Sequence, residues 1–192
     1  ADSIAVNLPS RLFERTDLVE YIHNAVTTYG VPHHAIELEI TETGLMKDLQ
    51  NVIPSLHRLN EIGVEISIDD FGTGYSSLAY LTALPISELK IDRSFIADML
   101  RDPDDLALTT AIIAMAHSLG MTVVAEGVEK EGLYDLLCAR GCDLAQGYWL
   151  GHPMNMHDFM GLVAEPPALD QLRLATQTQS TAARLPETAP NT

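Results

Sequence analysis

Apolar and polar positions alternate along this chain with two different periods. Six short segments repeat every second residue: SIAVNL (3–8), AIELEI (35–40), VEISID (64–69), SELKID (87–92), TVVAEG (122–127) and DLAQGY (143–148). Alternation of this kind predicts strands. Between most of them, apolar residues recur at helical spacing: Leu18, Tyr21, Ile22, Ala25 and Val26; Val52, Leu56, Leu59 and Ile62; Ala107, Ala111, Ile112, Met115 and Ala116; Leu133, Leu136 and Leu137. Gly30, Gly63, Gly120 and Gly141 stand where each helix should stop before the next strand.

Six βα units in series imply parallel strands with helices outside them. The choice lies between an open doubly wound sheet and a TIM-like (β/α)8 barrel. An open sheet is covered by helices on both faces, so its strands are apolar on both. Here Glu65, Ser67 and Asp69 share one face and Val64, Ile66 and Ile68 the other. Lys90 and Asp92 likewise oppose Leu89 and Ile91, Asn7 opposes Val6 and Leu8, and Glu39 opposes Leu38 and Ile40. One polar face, strand after strand, predicts a barrel whose mouth carries chemistry.

A complete barrel has eight strands, so six units predict an incomplete one. The expected shortfall lies before residue 1, because the chain opens directly on a strand and starts with Ala1 rather than Met. Six strands in an arc leave two unpaired edges, which predicts aggregation or a need for a partner to close the sheet. The expected domain spans residues 1–163. Residues 164–192 are rich in Pro, Ala, Thr and Gln and read as a disordered tail, with Leu169 to Leu174 transiently helical.

Composition narrows the function. With 46% hydrophobic and 20% charged residues over 192 positions, the chain reads as a globular domain with a substantial core. No window approaches the roughly 18 apolar residues of a membrane span. Cys138 and Cys142 have no further zinc ligands at suitable spacing and read as small buried residues. Without a disulfide framework the expected compartment is reducing, hence cytoplasmic, although a longer parent protein could carry a membrane anchor. A net charge of −16 argues against nucleic acid as a partner. It does not exclude an anionic ligand, since divalent metals placed between acids and a phosphate reconcile the two.

Every predicted strand ends in a polar group: Asn7; Glu39 with Glu42; Asp69 with Asp70; Lys90 with Asp92; Glu126 with Glu129; Gln146. In a barrel these ends converge. Converging carboxylates repel one another in a low-dielectric cleft, and hard divalent cations relieve that repulsion. Plainer roles exist for some of these residues. Asp92, followed by Arg93 and Ser94, reads equally well as a helix N-cap, Glu129 as an acid favouring a helix N-terminus, and Lys90 as an ion-pair partner. His33-His34 reads as a surface loop, Tyr148 and Trp149 as rim packing, and Met154 and Met156 as core filler.

NLPSRLF, ELEITET, IDDFGTGYSSLAYL, LKIDRSF, AEGVE and QGY, in this order, resemble the EAL-domain family over about residues 3–160. The resemblance implies a TIM-like barrel and a phosphodiesterase that hydrolyses cyclic di-GMP to linear pGpG with Mg2+ or Mn2+. Asn7, Glu39 and Asp69 resemble the family's metal ligands, with Asp69 bridging and Asp70 on the second metal. Lys90 resembles the lysine at the nucleophilic water, and Glu126 a carboxylate at the second metal or a base. Asp92 and Glu129 resemble supporting residues at the substrate site. Glu42 resembles the acid that pins the loop after Asp70, and Gln146 a polar group at the edge of the substrate pocket. In the family that loop also reaches a dimer partner, which implies a homodimer, and sensory or signalling domains are expected in the parent. The sequence contains no Glu-Ala-Leu tripeptide, so one ligand is expected from a strand about 60–75 residues upstream, two typical βα units away. A catalytically inactive cyclic di-GMP receptor is the alternative.

Overall fold

The computed structural model describes residues 3–47, 49–74, 78–164 and 183–184. These fall into two compact units, Ala1–Lys90 with Leu119–Met121, and Ile91–Ser118 with Thr122–Thr192. The disordered tail expected over 164–192 lies almost wholly outside the described residues.

The first unit is built on three parallel strands, β1 (Ile4–Asn7), β2 (Ile36–Thr41) and β3 (Glu65–Phe71). Their connections carry α1 (Leu18–Thr28), α2 (Glu42–Met46) and α3 (Leu49–Glu61). A short helix, α4 (Leu78–Leu81), leads to β4 (Glu88–Ile91), whose first three residues belong to this unit. The Ser87 amide donates to the Ile66 carbonyl (3.0 Å), which sets the start of β4 beside β3. Leu38, Ile40, Ile66, Ile68 and Leu89 are buried, as are Val52, Leu56 and Leu59 of α3, so one face of the strands and the α3 stripe form the core. Both long helices end alike. Gly30 and Gly63 take left-handed backbone (φ 65° and 88°), and the next residue donates to the carbonyl five back, Val31 to Val26 and Val64 to Leu59. This satisfies carbonyls that the helix end leaves bare.

The second unit holds α5 (Arg93–Ile96), α6 (Pro103–Ser118), β5 (Thr122–Ala125), α7 (Glu131–Ala139), β6 (Leu144–Ala145) and α8 (Met156–Ala164). β6 runs parallel to β5, and a two-residue strand, β7 (Ala183–Arg184), lies antiparallel to β6. Cys142 is buried between the carbonyls of Val123 and Leu144, and burial pushes its thiol up to about 12. Both cysteines are free.

The six βα units and their parallel pairing are as the alternation predicts. Details differ. The α6 face turned inward is Thr109, Ile112, Ile113 and Ala116, whereas Ala107 and Ala111 are exposed. Thr109 goes inside because its hydroxyl donates to the Phe95 carbonyl (3.5 Å). Tyr21 is exposed, its ring under the Arg15 guanidinium. Met156 is 71% exposed and is not core filler. His33 begins a 3-10 turn and stacks on His23. Only two residues of the last predicted strand pair regularly; after Ala145 the chain goes on bonding to the segment behind β5, Gln146 to Ala125 (2.8 Å) and Val128 to Gln146 (3.0 Å). No described helix is long and apolar enough to cross a membrane.

Candidate active site

In the first unit the register sets Asn7 and Ser67 on either side of Glu39, and Asp69 beside Thr41. Period-two alternation puts Glu39, Ser67 and Asp69 on one face, opposite the apolar core. Lys90 reaches the same face from β4. Its ammonium lies 2.6 Å from Glu39 Oε1 and 3.6 Å from Asp69 Oδ1. Lys90 is 5% and Glu39 8% exposed. Such buried charges persist only when mutually compensated, and here one cation serves two carboxylates.

Asp69 and Asp70 are neighbours in a strand, where neighbouring side chains point to opposite faces. Asp70 breaks the rule. Its φ is +54°, the one positive value outside glycine among the described residues. The left-handed turn lets both acids offer oxygens within 4.8 Å of each other. The Asp70 amide donates to Asp69 Oδ1 (3.0 Å), and the Thr73 hydroxyl donates to the Asp70 carbonyl (2.9 Å).

The glycines after this pair answer to Glu42. This residue opens α2, behind an N-cap in which the Thr41 hydroxyl accepts from the Gly44 amide. Glu42 is 1% exposed, and its Oε2 accepts from the amides of Gly72 (2.7 Å) and Gly74 (3.3 Å). Gly72 needs its freedom at φ 101°, and a Cβ on Gly74 would stand 2.6 Å from Glu42 Oε1. The loop thus leaves β3 held by one buried carboxylate. Residues 75–77 of the loop lie outside the described residues.

The second unit carries the other candidates. Glu126 directly follows β5, its amide bonded to the Ile91 carbonyl (3.1 Å), and its side chain is half-buried. Asp92 caps α5 by accepting from the Ser94 amide and hydroxyl. Burial alone would raise its carboxyl, but these hydrogen bonds prevail and hold it below the usual range. Glu129 is exposed and precedes Lys130, the N-cap of α7. Gln146 is half-buried, and Gly147 behind it touches the Val128 backbone: an added Cβ would meet Val128 N and O at 2.3 Å. Tyr148 is exposed against His152, and Trp149 packs on Tyr134.

Glu37 and Glu88 carry the same alternation as the site residues, standing two residues before Glu39 and Lys90. Burial pushes the Glu88 carboxyl up to about 8, and the negative charge of neighbouring Glu37 adds to the effect.

Parallel βα units with acids, an amide and one lysine at the carboxyl ends of their strands define an α/β protein of the TIM-barrel class. Asn7, Glu39, Asp69 and Asp70 offer oxygen only, which fits hard divalent cations. Residues 1–153 match the EAL domain family, and the chain belongs to that family. It is 46% identical over 163 residues to the bifunctional diguanylate cyclase/cyclic di-GMP phosphodiesterase MucR of Pseudomonas aeruginosa, covering 84% of this chain and 24% of that protein. A solved MucR phosphodiesterase in complex with cyclic di-GMP superposes with a TM-score of 0.79 at 44% identity, covering 82% of this chain and 64% of that one. A manganese and cyclic di-GMP complex of Klebsiella pneumoniae BlrP1 gives 0.72 at 30% identity, covering 76% and 38%. The chain spans about a quarter or less of the curated relatives' length, 24% for MucR and 21% for a signalling protein of Bacillus subtilis.

Proposed function

We propose that this chain forms the catalytic part of a cyclic di-GMP phosphodiesterase that opens one phosphodiester bond to give linear pGpG with Mg2+ or Mn2+. The observation that carries the reading is the gathering of Glu39, Asp69, Asp70 and Lys90 on one face of the first unit. Asn7, Glu39, Asp69, Asp70 and Glu126 would hold the metals. Bound cations would supply a Lewis acid at the phosphate and an acidified water.

The chain's own groups set the rest. Asp69 and Asp70 project from the end of a rigid strand, so their carboxylates are fixed before ligand arrives. Lys90, too buried to swing into solvent, presents a positive charge where the attacking oxygen and phosphate carry negative charge. Glu126 acts as a base or a further ligand. Glu42 holds the loop after Asp70, and Gln146, Asp92 and Glu129 contact or support the substrate. The glutamate of the Glu-Ala-Leu motif is supplied by sequence outside these 192 residues. The loop after Asp70 meets a second copy in a homodimer, and the parent protein carries sensory or signalling domains and works in the cytoplasm.

Chromatography of cyclic di-GMP incubated with Mg2+ or Mn2+ tests the reading, on this chain and on its full-length parent. Asp69→Asn in the parent is expected to lower turnover at least about 100-fold with an unchanged circular dichroism spectrum. Near-normal turnover by that variant, or binding by the parent without product, rejects it.

A further inference from the structure

Ser67 stands in the Glu39 layer: the two are register partners on β3 and β2, and alternation gives Ser67 the face of Asp69. In the sheet, β3 lies between β2 and β4. Glu39 and Lys90 therefore start two strand spacings apart, about 9.5 Å, and meet above the inner face of β3. Their charged ends are 2.6 Å apart, with Asp69 Oδ1 3.6 Å from the same ammonium. The bridge thus crosses β3 where Ser67 and Asp69 follow one another on that face.

Ser67 is 0% exposed, and its hydroxyl has no hydrogen-bond partner among the described residues. Folded interiors rarely leave such a group unmet, because it gives up water and gains nothing in return. A group unmet in one arrangement favours any other arrangement in which it is met. Lys90 supplies that second arrangement. A cation taking the oxygens of Glu39 and Asp69, as the proposed function requires, strips a buried ammonium of both acceptors. Such a charge needs a new partner close by. Ser67 offers an acceptor on the strand that the lysine already crosses, and, being neutral, it does not compete for the cation.

We propose that Ser67 is a positioning residue of the site: its hydroxyl accepts a hydrogen bond from the Lys90 ammonium once a divalent cation occupies Glu39. It keeps the lysine's charge at the site instead of letting the cation expel it. The inference rests on the phosphodiesterase reading in requiring a divalent cation at Glu39.

Binding of Mn2+ to the full-length parent is to be read from the electron paramagnetic resonance of the free ion. Ser67→Ala is expected to weaken it about 10-fold, the worth of one hydrogen bond to a charged group. In a Lys90→Met background the same substitution is expected to change nothing, since no ammonium needs a partner, whereas a merely loosened fold would weaken both backgrounds alike. A crystal of the wild-type parent with Mn2+ should place Lys90 Nζ within about 3.2 Å of Ser67 Oγ, a result that does not depend on the variants folding. Equal affinities of wild type and Ser67→Ala, an equal loss in the Lys90→Met background, or an ammonium still on Glu39 beside bound manganese overturns this proposal and leaves the phosphodiesterase reading standing. A wild-type parent that binds no Mn2+ overturns both.

Discussion

Asp70 shows how one backbone angle makes a site. A β-branched residue at φ +54° would bring its Cβ against the following carbonyl, whereas Asp and Asn tolerate this region. Asp70→Asn should therefore keep the geometry of β3, while Asp70→Val should unfold at lower urea, by about 1–2 kcal/mol relative to Asn. Equal midpoints for the two variants would show that the left-handed turn is not enforced. Both remove a charge, so their difference isolates the backbone. The paired acids were legible in the sequence as a pair. Their meeting on one side was not, because alternation alone sends them apart, and only Gly72 hinted that the chain leaves the strand pattern here. Lys90 was legible as polar on the inner face, but its bond to Glu39, 51 residues away, was not.

At the scale of elements, most long stretches read well, the nine-residue α8 being missed, and short ones did not. α1, α3, α6 and α7 each span nine residues or more, enough turns for a 3.6-residue period to show. α2, α4 and α5 have four or five residues and no period to detect. One of these three was marked in the sequence by its cap, Asp92, whose side chain accepts from the Ser94 amide; Thr41 caps α2 in the same way. Past Ala145 in β6, alternation continues in sequence while regular pairing stops, because Gly147 brings that segment onto the Val128 backbone. That approach leaves no room to yield, since the opposing atoms are main chain. Gly147→Ala should cost about 2 kcal/mol or more in urea unfolding and expose the Gln146 and Val128 amides to hydrogen exchange. A variant with wild-type exchange at both amides would contradict it.

For the molecule as a whole, acidity works against the folded state. The chain carries a net charge of −16, and compaction brings that charge together. Glu88 adds a specific part. Its folded carboxyl titrates near 8 rather than 4.5, so the native chain holds this proton more tightly than the unfolded one. The resulting stability is complete below about pH 4.5 and is lost as pH rises to about 8. The fall in urea midpoint between pH 5.5 and 8.5, measured in tetramethylammonium buffers, should be distinctly smaller in Glu88→Gln. An identical fall in both proteins would remove Glu88 as its source. The architecture itself was legible, because burying one face and keeping polar groups on the other leaves a trace in every strand. The split into two compact units left no such trace, since strands and helices alternate unbroken across Lys90 and Ile91.

The ion pair of Lys90 with Glu39 bears on how such a protein matures. A tethered ammonium already neutralises the acids it faces, so this half of the chain has a charge-compensated resting arrangement written into its own covalent structure. Any ion arriving from solution competes with an occupant that cannot diffuse away, and its grip is reduced by whatever that lysine gave the carboxylates.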